Sequence, residues 1–579
     1  MKATKFLAIA SSILAIASTS CIDDKYDLSD IDTTVQVKID RLVVPVNIDQ
    51  IFLSSVIDET SNIKVIDGHY AYVTDGTFNS DPISIDGISV KIDDIQDSHV
   101  TIKNALGGMP NPDVDIDYDI HEANPTEYSF KAEDISENLC GLTRINGKTT
   151  FTIKLDLSGI KNFASKAQLM GVKIMLTKHM IVKPNANGTY DYESGIFTLK
   201  DQLVDTSAGL TIEIEVEAIE IAAGEFNEAD HTIDISGEVG VTDGIFRIPA
   251  QYQSQTLPEM LSLVVSYDIA DFEVESVSGE LQYPITDVDI PEVELNDIPD
   301  FLNQPGTNLI LANPQLYLNA NNPLNMYKDL YAETGIEITA KRVGESGTGI
   351  DKKTFTLDQP FKIGGEQGVN EFNYVLAPED PATTDAGYPH PTFVKFSSLG
   401  HILSGNGLPK ALQINLVDPM VPKQPIENFL VDKKYEAIKG TWKFVAPFDL
   451  ASGSCIMYSD VVDGWSSEDL DHAVITFLEV NVTVSTDIPV GVQFTGAPLG
   501  KDGNAIAGTK ITGATIKPMA DNEHVTILVE MPEGGIHNLD GIKFEAVATA
   551  ADGQALSPAM TIRLTNIRPC VSGYYEKEL

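Results

Sequence analysis

Four aspartates alternate with other residues in one short segment: Asp113, Asp115, Asp117 and Asp119. In a β-strand every second side chain points to the same face, so one face would carry all four carboxylates. Carboxylate oxygens at close range are suitable ligands for Ca²⁺. The segment lacks the glycine and the final glutamate of an EF-hand loop, and a solvated strand face has the same pattern. We weigh a calcium site against a plain exposed face and favour the exposed face.

Motifs for catalysis are absent from the sequence. Ten histidines are scattered without an HxH or HExxH pattern, which leaves zinc hydrolysis without support. The chain also lacks the G-x-S-x-G turn of α/β-hydrolases and the phosphate loop G-x-x-x-x-G-K-[ST]. A glycosidase pair stays open among 85 acidic residues, because its defining feature is a distance in space. We identify no cofactor and favour a protein without enzymatic activity.

Two tryptophans, Trp442 and Trp465, are the side chains best suited to hold a sugar ring. Trp442 alternates with Phe444 in a strand-like segment, which predicts a core position. Trp465 follows an Asp-Gly pair in a predicted loop and is the candidate residue for ligand binding. Loop tryptophans also commonly cover a core edge, so glycan binding is the alternative hypothesis.

Four cysteines are present: Cys21, Cys140, Cys455 and Cys570. None has the CxxC spacing of zinc or thioredoxin-type sites, and Cys140 is predicted to be a small buried residue. Cys455 and Cys570 both lie in the last third of the chain and are the candidate disulfide. Their bond would close a loop of about 115 residues and stabilise the fold by roughly 4–5 kcal/mol. Two free thiols fit the sequence slightly better, because geometry decides the pairing.

The first twenty residues have the pattern of a secretory signal. Two lysines precede an apolar run, residues 6–17, that is shorter than the roughly 20 residues needed to span a bilayer. Small residues then precede Cys21. This pattern resembles the signal of bacterial lipoproteins, in which a peptidase cuts before the cysteine and its thiol is diacylated; Ser18 departs from the aliphatic residue usual there. The resemblance implies that Cys21 carries the lipid, with palmitate-like acyl chains.

The residues after Cys21 are acidic and include Asp23, Asp24 and Asp27. They resemble the segment that directs Bacteroidota lipoproteins to the outer face of the cell. The resemblance implies an outer-membrane protein exposed on the cell surface, with these aspartates as the export signal. A solvated tether on the periplasmic face is the alternative.

The amino-acid composition limits the kinds of partner that the protein can bind. Apolar residues make up 42% and charged residues 21%, which allows a packed core. The net charge of −46 excludes nucleic acid, which requires a basic surface. The same charge repels anionic membranes, so we expect membrane contact through the lipid alone. The remaining partners are a protein or a glycan.

Apolar and polar residues alternate in many segments, for example 149–157, 210–217, 440–445 and 541–547. Period two predicts antiparallel strands with one buried face. Asp-Gly and Asn-Gly pairs favour tight hairpins at 67–68, 75–76, 187–188, 243–244, 406–407, 502–503 and 552–553. We therefore predict an all-β protein of tandem β-sandwich, immunoglobulin-like domains. Short connecting helices are predicted at 160–170 and 466–475.

The predicted domains follow from composition and turn spacing. Residues 1–20 are the signal peptide, 21–34 an acidic tether, 35–285 one or two N-terminal sandwiches, 286–469 a middle sandwich and 470–579 an immunoglobulin-like sandwich of about seven strands. Residues 284–306, rich in proline and acid, are predicted to be a linker or edge segment, and 377–392 a long loop. Residues 311–324 resemble the start of water-stress-type β-sandwich domains, which implies a sandwich beginning near Asn308.

These observations lead to one main hypothesis and two alternatives. The main hypothesis is a lipid-anchored envelope protein with a binding, adhesion or structural role. The first alternative is a surface component of nutrient uptake that binds or processes glycans. The second is lipid handling, which would require a long apolar tunnel between sheets.

We predict that Cys21 is acylated, because it directly follows the predicted signal segment. Cells grown with a palmitate analogue should yield labelled wild-type protein and unlabelled Cys21→Ser protein. Equal labelling of both proteins would refute the assignment.

Overall fold

The structure is a computed structural model. It describes residues 34–43, 50–106, 113–296, 298, 300–343, 350–464, 473–551 and 554–578. These residues form 35 strands, so the all-β fold is confirmed. Pairing is antiparallel throughout the described strands, except for one parallel pair that bears on the candidate site.

The first twelve strands are β1 (Thr34–Val43), β2 (Ile51–Phe52), β3 (Ile63–Ile66), β4 (His69–Ile85), β5 (Ser89–Ile92), β6 (Ser98–Asn104), β7 (Ile116–Ala123), β8 (Thr126–Ala132), β9 (Leu139–Asp156), β10 (Lys166–Met175), β11 (Met180–Val182) and β12 (Gly188–Asp191). The next twelve are β13 (Ile196–Leu199), β14 (Gln202–Asp205), β15 (Leu210–Glu220), β16 (Phe226–Asn227), β17 (Thr232–Ile248), β18 (Met260–Ile269), β19 (Phe272–Pro284), β20 (Val293–Glu294), β21 (Gln315–Asn321), β22 (Tyr331–Val343), β23 (Ile350–Thr356) and β24 (Phe361–Gly364). The remainder are β25 (Glu371–Ala377), β26 (Thr392–Lys395), β27 (Ala411–Leu430), β28 (Lys433–Pro447), β29 (Cys455–Val462), β30 (Ala473–Thr486), β31 (Val490–Gly500), β32 (Lys510–Ile516), β33 (Glu523–Glu530), β34 (Leu539–Ala550) and β35 (Thr561–Glu578).

Strands β5–β19 form the N-terminal unit. Their alternating sequence buries one face, as in β15, where Ile212, Ile214 and Val216 are buried and the glutamates between them face solvent. Pairing closes into a circuit that runs β9, β18, β6, β7, β17, β8, β5, β19 and back to β9. The circuit holds the strands together without a free edge along that path.

The middle sandwich contains β3, β4 and β20–β28. One layer is a six-stranded sheet in the order β26-β25-β21-β28-β4-β3. The other layer contains β20, β22, β23, β24 and β27. Leu318 and Trp442 of the first layer and Ile336 and Ile414 of the second line the same interior. Strands β3 and β4 precede the N-terminal unit in the chain and β20–β28 follow it, so that unit is an insertion in the middle sandwich.

Strand pairing continues across residue 285, where the sequence predicted a domain boundary. Strand β19 pairs with β27 from Ser276 to Pro284, and one buried cluster runs through both units. The segment 284–306, predicted to be a linker or edge, has buried residues at Ile285, Leu295 and Leu302. It is therefore part of the core, and residue 285 does not separate two independent sheets.

The C-terminal unit contains nine strands, β1, β2 and β29–β35. Its main sheet has the order β1-β35-β30-β33-β32-β31-β34-β29. Thr34 pairs with Glu578, so the first described strand belongs to the unit that the chain forms last. Six of its strands lie within residues 470–579, where about seven were predicted, and the other three, β1, β2 and β29, come from outside that range.

Two further features predicted from the sequence are wrong. Residues 160–170 do not form a helix: they make a turn and then enter β10, which pairs with β17. Of the helix predicted at 466–475, residues 466–472 lie outside the described residues and 473–475 begin β30. The described helices are single 3₁₀ turns at Leu53–Ser55, Ala250–Tyr252, Asp300–Asn303 and Ser397–His401. Pairs 75–76 and 243–244 are not hairpin turns, because they lie inside β4 and β17. Among the described helices, none has the length and apolar content to cross a membrane.

We predict that Phe151→Ala destabilises the protein by about 3–5 kcal/mol, because removal of a fully buried ring leaves a cavity. Phe151 is 0% exposed and lies between the rings of Tyr128 and Tyr267. The control is the adjacent exposed Thr150→Ala, expected to change stability by less than about 0.5 kcal/mol. Urea unfolding followed by circular dichroism measures both, and equal midpoints would contradict this account of the core.

Candidate functional site

The four alternating aspartates do not assemble into a metal site. Asp117 accepts two hydrogen bonds from Arg247, at 2.7 and 2.9 Å, and this guanidinium lowers the pKa of Asp117 against the effect of burial. Asp115 accepts a backbone N–H at 2.9 Å. In the described part of the chain, no three Asp, Glu, His or Cys side chains converge to hold a metal ion. The calcium hypothesis for Asp113, Asp115, Asp117 and Asp119 is thus not supported by their geometry.

Cys140, Cys455 and Cys570, the cysteines within the described residues, are free thiols. Cys455 lies on β29 and Cys570 on β35, with five strands between them in the order of the sheet. The Sγ atom of Cys455 lies 3.4 Å from the carbonyl oxygen of Gly306 instead. The disulfide weighed from the sequence is not formed, and Cys140 is half-buried rather than buried.

Several predicted site residues lie outside the described residues: Cys21, Asp23, Asp24, Asp27 and Trp465. Lipid attachment, export and glycan binding by these residues therefore stay predictions. Trp442 lies in the middle sandwich and is 3% exposed, as a core residue.

Two apolar cavities lie in the interior of the middle sandwich. One, of about 30 Å³, is lined by Leu318, Trp442, Ile336 and Ile290 among other residues. The other, of about 20 Å³, is lined by Ile63, Leu295 and neighbouring apolar side chains. For comparison, an apolar cavity of about 150 Å³ holds one benzene molecule. Neither cavity admits a sugar or an acyl chain, so the apolar tunnel that lipid handling would need is not present at either place.

The outer face of the six-stranded sheet presents a more distinctive arrangement. Strands β25 and β26 pair in parallel, with Tyr374 opposite Thr392. A parallel pair requires a crossover connection. Residues 378–391 make this connection and lie on the outer face of β21 and β28. We call this outer face together with residues 378–391 the loop face.

An ion pair attaches the middle of the crossover to the sheet. The ammonium of Lys443, on β28, donates to the carboxylate of Asp385, and the two side chains are 26% and 22% exposed. The backbone N–H of Asp385 donates to the Tyr317 hydroxyl at 3.1 Å. Burial would raise the pKa of Asp385, but Lys443 and the N–H of Gly387 hold that pKa below its usual range. Asp385 is therefore a charged anchor at neutral pH.

An aromatic pair completes the attachment. The Tyr388 ring lies 5.3 Å from that of Tyr317, and its hydroxyl lies 3.2 Å from the Thr441 hydroxyl. Tyr388 belongs to a small buried cluster with Val375 and Val445, on the side of the sheet away from the main core. Burial raises the pKa of Tyr388. The crossover thus has a small apolar core of its own.

The last turn of the crossover is fixed by amides. Asn373, on β25, donates to the carbonyl oxygen of Pro389 at 3.1 Å and accepts from Asn319 at 2.9 Å. At its start, Glu379 donates its backbone N–H to Asn313 at 3.0 Å. The crossover is therefore attached at its beginning, middle and end, which gives an ordered surface loop on a rigid scaffold.

Beside the crossover, the strands present polar side chains to solvent. Asp75, Thr77 and Asn79 of β4 are exposed, as are Lys439 and Thr441 of β28. Thr77 lies opposite Thr441 and Asn79 opposite Lys439, so these groups form rows across the strands. The rows offer donors and acceptors for a polar partner.

The sequence located the crossover as a long loop but did not reveal its position on the sheet. One signal was present: Tyr388 is an aromatic residue within a segment of prolines, aspartates and glycine. An apolar ring in such a loop indicates that the loop packs against a surface. The Lys443–Asp385 pair had no comparable signal, because 58 residues separate its members.

Comparisons with known proteins give no function. No family model matches the chain, and no curated protein matches it. The chain is similar to a crystal structure of a protein from Parabacteroides distasonis ATCC 8503, inferred to be secreted, at 14% identity and a TM-score of 0.36. The alignment covers 51% of this chain and 89% of that one. A TM-score this low does not establish a shared fold or function.

We predict that Lys443→Met weakens attachment of the crossover by about 1 kcal/mol, seen as roughly fivefold lower hydrogen-exchange protection over residues 378–391. The pKa of Asp385 is lower in the folded protein, so the contribution is complete above the unfolded-state pKa of about 4 and is lost as pH falls through the folded-state pKa. The variant should lose this pH dependence. Lys439→Met, an exposed lysine on the same strand, is the control. Equal protection in both variants would contradict the anchoring role of Lys443.

Proposed function

We propose that this protein is a lipid-anchored binding protein of the bacterial outer membrane, exposed on the cell surface, that engages a protein partner through its loop face. The lipid anchor and the surface location rest on the resemblance of the first thirty residues to Bacteroidota lipoproteins. The binding role rests on the attachment of the crossover, residues 378–391, to the outer face of the sheet.

That attachment favours binding for an energetic reason. A loop that is ordered before it meets a partner loses less conformational entropy on association. The Lys443–Asp385 ion pair and the buried Tyr388 ring both hold the crossover in one position. The fold thus keeps an exposed loop in a single shape, which serves recognition of a partner.

The chemistry of the loop face favours a protein over a glycan. Sugar rings are held by exposed aromatic faces combined with polar groups. On the loop face the rings of Tyr317 and Tyr388 pack against each other and are buried. The exposed groups, such as Thr77, Asn79 and Lys439, form rows of donors and acceptors across the paired strands, which suit the polar surface of another protein.

Glycan binding remains the alternative function. Its candidate residue, Trp465, lies outside the described residues, and its loop is separate in sequence from the crossover. If the protein binds a glycan, substitution of Trp465 should weaken binding. If it binds a protein, substitutions on the loop face should do so.

The test measures adhesion of intact cells that display the protein to panels of immobilised extracellular proteins and of polysaccharides. Thr77→Arg and Lys439→Glu place altered bulk and charge on the loop face, and we expect each to reduce adhesion to a protein at least tenfold, about 1.4 kcal/mol. Thr150→Arg, on an exposed position of the N-terminal unit, is the matched control and should leave adhesion unchanged.

Protease treatment of the intact cells should abolish adhesion, since the protein is proposed to face outward. If Thr77→Arg and Thr150→Arg changed adhesion equally, the loop face would be excluded as the binding surface. Polysaccharide adhesion lost only in Trp465→Ala would support the glycan alternative instead.

A further inference from the structure

The order of the three units along the chain differs from their order in space. Strand β1 comes first in the described chain, yet it pairs with β35 in the C-terminal unit, and Thr34 lies opposite Glu578. The chain then enters the middle sandwich through β3 and β4, builds the N-terminal unit, and returns through β20–β28. The units are nested, with the C-terminal unit formed from both the first and the last of the described strands.

The middle sandwich lies between the other two units. It meets the C-terminal unit through backbone hydrogen bonds between Asn308 and Cys455 and from Tyr70 to Leu556, each 2.8 Å long. It meets the N-terminal unit through the β19–β27 pairing and the ion pairs of Lys423 with two glutamates. The middle sandwich therefore joins the other two units, and we call this order of contact, C-terminal unit, middle sandwich, N-terminal unit, the row.

The predicted lipid site is close to one end of this row. Cys21 precedes Thr34 by 13 residues. Even fully extended, that length of chain spans at most roughly 45 Å. The paired ends of β1 and β35 must then lie within this distance of the membrane surface.

We infer that the C-terminal unit is the membrane-proximal unit, with the middle sandwich beyond it and the N-terminal unit outermost. This inference rests on the proposed lipid anchor at Cys21. The partner of the membrane-proximal end is the lipid surface itself, reached through the anchor.

Charge favours an upright row over one that lies along the membrane. The whole chain carries a net charge of −46. Bacterial membrane surfaces are anionic, and like charges repel within a Debye length of the surface. Lying flat would bring all three acidic units to that surface, whereas standing upright brings one. The loop face is then held away from the membrane by the C-terminal unit.

Three exposed positions, one in each unit, can report how far that unit lies from the membrane. They are Lys38 on β1, Asp380 in the crossover and Lys161 after β9. Strand β9 runs from Leu139, which pairs with β19, to Asp156, a length of roughly 55 Å. Lys161 therefore lies at the end of the N-terminal unit away from the middle sandwich.

The experiment uses the full lipidated protein in phospholipid vesicles that contain a fluorescence-quenching lipid. Dyes are attached through Lys38→Cys, Asp380→Cys or Lys161→Cys in a background with Cys140, Cys455 and Cys570 replaced by serine. We expect loss of most of the emission at position 38, partial loss at 380 and little loss at 161. Equal loss at all three positions, or the reverse order, would overturn the inference.

Two controls separate the orientation from the anchor. The Cys21→Ser protein should show no quenching at any position. If the protein with Cys21 also shows none, the anchor has failed, and with it both the proposed function and this inference. Neutron reflectometry of the unmodified lipidated protein on a supported bilayer avoids the substitutions. A protein layer no thicker than one unit would contradict the upright row even if the labelled variants do not fold.

Discussion

The pairing of β4 with β28 joins residues 69–85 to residues 433–447, and the rest of the structure depends on it. It completes the six-stranded sheet, and it makes the N-terminal unit an insertion between two halves of one sandwich. At its centre Trp442 lies directly opposite Gly76. A Cβ atom on Gly76 would lie 2.6 Å from the indole ring, so glycine leaves the room that the tryptophan fills. Contacts of such large sequence separation form slowly, because a long loop must close first.

The sequence predicted individual strands well, because alternation reports which side of each strand is buried. Segments 210–217, 440–445 and 541–547 lie within strands, and 149–157 does so up to Asp156, the last residue of β9. The pairing partners of those strands could not be predicted from the sequence, since the same alternation fits any neighbouring strand. The pairs at 75–76 and 243–244 show a second limit. Glycine at these positions lets a neighbouring strand or side chain approach the backbone closely. Gly244 has φ +137°, and a Cβ atom on it would contact Val172.

Side chains of the candidate site were harder to predict than the strands. The four aspartates had the right pattern for a strand, but their partner Arg247 lies 130 residues from Asp117 and gave no local signal. In the same way Asp385 meets Lys443 only because the parallel β25–β26 pair directs the crossover over β28. The chemical type of each residue can be read from the sequence, whereas the topology decides which two side chains come into contact. A site assembled from distant strands therefore becomes visible only with the fold.

The same nested topology creates an exposed edge that must be kept from pairing with other chains. Strand β1 lies at the end of its sheet, where unpaired backbone groups invite addition of another strand. Its exposed side chains include Lys38, Asp40 and Arg41, and charged residues oppose such addition. Arg41 also has a positive φ of 50°, at a register shift between Ile39 and Leu42. A bulge of this kind interrupts the regular edge. The strand nearest the proposed anchor, at high local density on a membrane, thus carries two features that oppose edge-to-edge association.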